Sequence, residues 1–313
     1  MTSAAGRATL DRCTAFLLAA MLLACVLFGW GKGFGVDGLR AIPPAAALYG
    51  LLLARAIGRR RGRPAVVAAA TAFGQMTLFT VLGVVLAYTI AAHPAPLWDD
   101  RLAAADRALG LDWPAILAAL DRAPALLPVL GLAYHGLSVQ MVVTILALAR
   151  ARRFDTLRVA VCAAVLSGFV TILISAAMPA AGNLFDPDRY QHLWPSVAWA
   201  ERDLIAGLRD GSDRVLDLSA LMGIVSFPSY HATLAAIFIW SARAAPGLRW
   251  PLTSWAVLTI VATPVFGGHY AVEVLVGLLL APPAIAAAAT ATRLDAGVPR
   301  RDARPRPVLW LRA

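Results

Sequence analysis

The stretch Gly267-Gly-His-Tyr-Ala-Val-Glu-Val-Leu-Val-Gly-Leu-Leu-Leu-Ala281 opens on two chemistry-bearing side chains and runs on as an apolar segment to about residue 290. That length is enough to cross a bilayer as a helix. His269 and Glu273 stand four residues apart, a spacing that on a helix sets the carboxylate on the same face as the imidazole. A second stretch, Gly223-Ile-Val-Ser-Phe-Pro-Ser-Tyr-His231, ends on another histidine at the start of another apolar segment. Each stretch places a histidine at a membrane edge, and together they predict an all-α polytopic transmembrane bundle with its chemistry at one surface.

The composition agrees. Of 313 residues 60% are hydrophobic and only 15% charged, with a mean hydropathy of +0.71, which lies outside the range of an ordinary soluble domain. Cys13, Cys25 and Cys162 all fall within or beside apolar runs and read as small buried hydrophobes, not as a disulfide framework or a metal site. Apolar segments lie near 13 to 30, 41 to 57, 65 to 91, 124 to 149, 159 to 180, 230 to 243, 251 to 267 and 270 to 290, so about eight helices are expected.

The basic residues behind the net charge of +10 are unevenly placed. Arg55 to Arg63 close the second segment, Arg150 to Arg158 follow the fourth, Arg243 and Arg249 follow the sixth, and six arginines from Arg293 onward follow the eighth. These stretches fall after every even-numbered helix, so the positive-inside rule puts all four, and both termini, in the cytoplasm. The loops 31 to 40, 92 to 123 and 181 to 229 then face the other side together with His231 and His269. Arginines beside anionic lipid account for the basic balance, and no nucleic acid is called for. The excess of arginine over lysine, with abundant Ala and Gly, suggests a high-GC bacterial genome and hence a plasma-membrane protein with its site on the periplasmic or extracellular side. In domain terms, two N-terminal helices (1 to 63) precede a membrane domain (64 to 292) and a disordered basic tail (293 to 313).

Loop 92 to 123 reads as short amphipathic helices at the interface, with Trp98 and Trp113 at headgroup level. Loop 181 to 229 is the longest polar stretch and the natural place for phosphate ligands. An imidazole held by a carboxylate has a fixed tautomer and a free nitrogen usable as a nucleophile. Against a phosphate ester that nitrogen forms a phosphohistidine, and a second histidine can return a proton to the departing oxygen. Arg209 and Arg214, just before the first histidine stretch, are candidate phosphate cations, with Ser229 and Gly268 as further contacts. Arg189, His135, Gln140, Tyr230 and Tyr270 are candidate substrate-cavity residues.

Phe227-Pro-Ser-Tyr-His231 and Gly267-Gly-His-Tyr-x-x-Glu273-x-x-x-Gly277 resemble the second and third motifs of the type-2 phosphatidic acid phosphatase superfamily. The wider region from Trp98 to Gly277 is most similar to the bacterial branch related to inositol phosphorylceramide synthase. The resemblance implies a six-helix core and a metal-independent, cofactor-free transfer of a phosphoryl or phospho-headgroup on a lipid. It makes His269 the nucleophile, Glu273 its orienter, His231 the general acid and Ser229 a phosphate contact. Three positions depart from the family pattern: Glu273 replaces the usual aspartate, the lysine and Arg-Pro of the first motif have no counterpart, and Ala262-Thr263 stands where a Ser-Arg pair opens the third motif. Three function classes stay open at this level: transfer of a phosphoinositol-like headgroup to a lipid hydroxyl, hydrolysis of phosphatidic acid or a polyprenyl diphosphate, and a non-catalytic scaffold or transporter-like bundle.

Overall fold

A computed structural model describes residues 4–29, 31–93 and 95–294. Helix α1 (Ala4–Gly29) leads through the two-residue strand β1 (Gly35–Val36) to α2 (Ile42–Arg60) and α3 (Pro64–Ala91). Short helices α4 (Asp99–Ala108) and α5 (Trp113–Asp121) precede α6 (Leu126–His135), α7 (Leu137–Arg150) and α8 (Phe154–Ala177). A 3-10 turn at Pro187–Arg189 is followed by α9 (Val197–Asp210), strand β2 (Val215–Leu216), α10 (Tyr230–Ala242), α11 (Arg249–Phe266) and α12 (Ala271–Leu294). The basic tail expected from residue 293 lies, past Leu294, outside the described residues.

The chain is all-α, and every apolar segment of the sequence is helical. Among the described residues four stretches, Thr9–Gly29, Pro64–Ala91, Phe154–Ala177 and Ala271–Ala291, are by length and composition fit to cross a membrane, and a fifth if α5 and α6, bent by 114°, count as one. The expected count of eight is thus met by helices but not by eight full-length apolar spans. The sixth segment yields only a 13-residue helix, because the residues before Tyr230 are held in a loop that serves the site described below. The fourth divides at Gly136, where a β-carbon would run into the Leu132 carbonyl and the Trp255 ring. Hydrogen bonding continues through the break, from Gly136 N to Leu132 O at 2.8 Å and from Gln140 N to Gly136 O at 2.9 Å.

The core is apolar and shared by most helices, with Met21 of α1, Leu86 of α3, Leu148 of α7, Val165 of α8, Ile237 of α10 and Leu252 of α11 all fully enclosed. Helix α1 packs against α3, α8 and α12 and is tied to α8 by an Asp11–Arg158 ion pair at 3.1 Å. Helix α2 packs mainly on α3 and leaves Tyr49, Leu52, Leu53 and Ile57 exposed, as a lipid-facing helix must. Its start carries Pro43 and Pro44 in the first turn, where no backbone N–H is missed.

The two ends of the bundle differ. Arg59, Arg63, Arg152, Arg153 and Arg158 line one recess, and Arg153, Arg243 and Arg249 another beside it, so the arginine-rich turns share one end. The mixed-charge loops meet at the other. There β1 pairs in parallel with β2, Gly35 opposite Val215 and Val36 opposite Leu216. Asp99 of α4 accepts the Gly182 amide at 2.9 Å, and the Tyr88 hydroxyl donates to Met222 O at 3.0 Å. Both histidine stretches belong to this second end.

Candidate active site

Helix α11 stops because Pro264 in its last turn is followed by Gly267 and by Gly268, whose φ of +72° suits glycine and few other residues. His269 lies in the turn that results, its amide bonded to Pro264 O at 3.1 Å, and α12 begins two residues later. The one-helix geometry suggested by the spacing is therefore replaced by a turn and a helix start. The pair forms all the same, because a side chain in the first turn of α12 leans toward the helix N-terminus. Nδ1 of His269 is 2.8 Å from Oε2 of Glu273. The same carboxylate accepts the Tyr270 amide at 3.1 Å and the Ser226 hydroxyl at 2.8 and 2.9 Å. Glu273 is 0% exposed, and these bonds offset the cost of enclosing it.

Helix α4 clamps the arrangement from outside. Its buried face carries Asp99, Leu102 and Asp106, one turn and two turns apart. Asp106, wholly enclosed, accepts the Ala271 and Val272 amides at 2.8 and 2.9 Å and the Trp113 indole at 2.7 Å, so it caps the N-terminus of α12. Asp99 holds the amides of Ala181 and Gly182, and Leu102 packs with Ala180, Phe227 and Tyr270. The amphipathic helices expected in loop 92 to 123 are present, but α4 is docked on the site and its acids do structural work.

His231 is the second residue of α10. Its ring stacks on Tyr134 at 4.5 Å and 20° and stands 6.3 Å, centroid to centroid, from His269, close enough for both imidazoles to reach one bound phosphoryl group. A β-carbon on Gly267 would come within 2.7 Å of the His269 ring and 2.8 Å of the Tyr134 hydroxyl, so glycine there is what admits Tyr134 beside the two histidines. His135 is exposed next to Tyr134, with the two rings edge to face at 5.2 Å.

The other expected residues are placed as follows. Ser229 caps α10, its Oγ facing the Ala232 amide at 3.5 Å, and its amide donates to Glu273 O at 3.1 Å. Its carbonyl lies where a β-carbon on Gly277 would be, which lets α10 and α12 touch. Gly268 faces Ser196 and Ala198. Tyr230 points away from the histidines, its hydroxyl donating to Ala164 O at 2.9 Å, while Tyr270 is buried against α4. Gln140 donates to Leu252 O at 2.8 Å, joining α7 to α11. Arg209 donates to Ala95 O at 2.6 Å and lines a largely apolar cavity of about 230 Å³ with Phe28, Ile90, Leu97, Ile205 and Ser226. Arg214 donates to Asp213 O at 3.2 Å and covers the Phe34 ring at 4.9 Å, which commits it to the loop around β1. Arg189 is 77% exposed and pairs with Asp186 at 3.3 Å. Thr263, in the place of the family's arginine, is buried and bonds back to Thr259 O at 2.7 Å.

Two residues that sequence reasoning passed over belong to this neighbourhood. Glu201 on α9 is 9% exposed and interacts electrostatically with His269 and Glu273 and with Tyr134. Burial pushes its carboxyl up from the usual 4.5 to about 7, with His269 opposing the rise and Glu273 adding to it. Ser196, at the N-cap of α9, makes no side-chain cap and is 4% exposed. The signal that could have found Glu201 is the α9 pattern itself, in which Ala198, Glu201, Ile205 and Leu208 share the buried face at helical spacing.

An all-α membrane-helix bundle with a buried histidine–carboxylate pair at one end is the class that fold and site define. Within that class a family model described as the PAP2 superfamily matches residues 100–287, more than half of the chain, and the chain belongs to the PAP2 superfamily. Members of that superfamily are generally phosphatases or phosphotransferases acting on phosphate esters, lipid phosphates among them. No curated protein matches the chain, and no solved structure does.

Proposed function

We propose that the protein transfers a phosphoryl or phospho-headgroup of a membrane lipid through a phosphohistidine on His269. The observation that carries this reading is the 2.8 Å contact between His269 Nδ1 and a fully enclosed Glu273. With Nδ1 protonated and donating to that carboxylate, Nε2 is left unprotonated and directed away from it. Attack by Nε2 on phosphorus forms the P–N bond and breaks the P–O bond to the leaving group, and His231 across the gap supplies the proton to the departing oxygen. An incoming hydroxyl then returns its proton to His231 as it takes the phosphoryl group. Enclosure of the site, with His269 5% and Tyr134 4% exposed, favours an alcohol acceptor such as a lipid hydroxyl over bulk water. A phosphoinositol-like headgroup is the specific cargo proposed, and hydrolysis of phosphatidic acid or a polyprenyl diphosphate is the competing outcome. The arginine-rich end then faces the cytoplasm and the site faces the outer side of a bacterial plasma membrane.

The test is turnover by detergent-purified protein in EDTA, following release of phosphate and transfer of labelled headgroup across a panel of lipid phosphates and phosphoinositides. His269→Asn is expected to abolish both, and Glu273→Gln to lower the rate by about 10² to 10⁴ by losing the oriented tautomer. Undiminished turnover in His269→Asn would falsify the nucleophile assignment.

A further inference from the structure

The family pattern supplies cations for the phosphoryl group from its first motif and from the start of its third, and neither is present in this chain. Arg209 and Arg214 are held by Ala95 O and by the loop around β1. A different element stands over the nucleophile. The N-terminus of α9 packs directly on the turn that carries His269: a β-carbon on Gly268 would meet Ala198 Cβ at 2.5 Å and Ser196 Oγ at 2.7 Å. Gly182 is pressed into the same space, where a β-carbon would meet the Gly268 carbonyl at 2.5 Å and Ala198 at 3.2 Å. Ser196 has the extended backbone of an N-cap, φ −67° and ψ 164°, yet its hydroxyl caps nothing. Among the described residues its buried Oγ has no hydrogen-bond partner, which is costly for a polar group 4% exposed.

We propose that the N-terminus of α9 binds a phosphoryl group of the substrate, with the Ser196 hydroxyl and the amides of Val197 and Ala198 as donors, in place of the missing arginines. The Trp199 amide is taken by Ser196 O at 3.1 Å, but the two amides before it stand where a helix offers no acceptor, and with the aligned peptide dipoles a helix start presents roughly half a positive charge. Helix α9 is 14 residues long, so that field is fully developed. The unmet hydroxyl of Ser196 acquires an acceptor only when an anion arrives. Because Gly268 has no β-carbon, Ser196 Oγ and Ala198 can lie directly against the His269 turn, and the left-handed backbone there excludes most alternatives. Glu201, one turn further along the buried face, is largely protonated below neutral pH and then acts as a donor toward an anion instead of repelling it. This proposal rests on the phosphoryl-transfer reading above and adds the element that neutralises the transferred group.

The test measures binding of inorganic phosphate, and separately of a short-chain phosphatidic acid, to full-length detergent-purified protein by calorimetry and by the ligand-induced rise in melting temperature. Wild type, Ser196→Ala, Ser196→Asp and His269→Asn are compared. Ser196→Ala is expected to keep the melting temperature of the ligand-free protein, since no partner is lost, and to weaken both ligands about tenfold. Ser196→Asp is expected to abolish binding, and His269→Asn to bind phosphate while failing to turn over lipid. Weakening toward both ligands puts the transferred group at α9, and weakening toward inorganic phosphate alone makes it the site of released phosphate. Unchanged affinity in Ser196→Ala overturns the proposal. So does wild type that binds neither ligand, or a ligand-free melting temperature that falls in Ser196→Ala, which would make the hydroxyl a structural one. Activity retained in His269→Asn would sink the nucleophile reading while leaving the phosphate titration intact as a readout of α9.

Discussion

Glu201 and Glu273 are both buried carboxylates at one site, yet their surroundings differ. Glu273 is met by a histidine, a serine and an amide, whereas Glu201 is governed by desolvation. A folded-state value raised to about 7 from the usual 4.5 means that the protonated form is the one that suits the fold. The contribution is complete below about pH 4.5 and is lost as pH rises through about 7, on the order of 3 kcal/mol across that window. Chemical denaturation in micelles from pH 4.5 to 8 should show this decline in wild type and a flat profile in Glu201→Gln, which should be the more stable protein above pH 7. A variant as steep as wild type would assign the slope to another group. The His269–Glu273 pair was legible in the sequence because its spacing is local, whereas the approach of His231 to His269 is made by the fold. Glu201 left a trace in the spacing of the buried face of α9, but that it and Ser196 belong to the site depends on α9 folding onto Gly268, which no local pattern reports.

Among the elements, α4 shows how a short helix can position chemistry it never touches. Asp106 satisfies three donors from two other segments. Asp106→Ala leaves them buried without an acceptor and should cost about 3 kcal/mol, read as a lowered denaturation midpoint. Turnover should fall as well, because the α12 N-terminus carries Glu273 within its first turn; full activity at unchanged stability would show that the cap is dispensable. The stretch from Trp98 to Trp113 was recognisable as part of the family resemblance, but the role of its acids was hidden because their acceptor bonds reach amides more than 160 positions away. The eight apolar segments were read correctly as helices. The shortness of α10 was already visible in the sixth apolar run, 230 to 243, whereas the break at Gly136 was not foreseen, since it depends on the Trp255 ring.

For the whole molecule, the separation of arginine-rich turns from the histidine-bearing end fits one orientation in the bilayer. A cysteine at Leu39, an exposed position beside β1, should react with an impermeant maleimide on intact cells, whereas a cysteine at Arg60 should react only after permeabilisation; the reverse pattern would invert the orientation. The parallel pairing of Gly35–Val36 with Val215–Leu216 also sets a schedule for biogenesis. The first of these segments leaves the ribosome early, and its partner follows after most of the remaining chain has been made, roughly ten seconds or more at ordinary rates of synthesis. During that interval β1, in the loop after α1, has no strand to pair with. The loop leading to His231 is thus held at two points made early in the chain, Tyr88 of α3 and β1, and the histidine-bearing end closes only when α12 with Glu273 has followed, so nascent chains stay inactive until insertion is nearly finished.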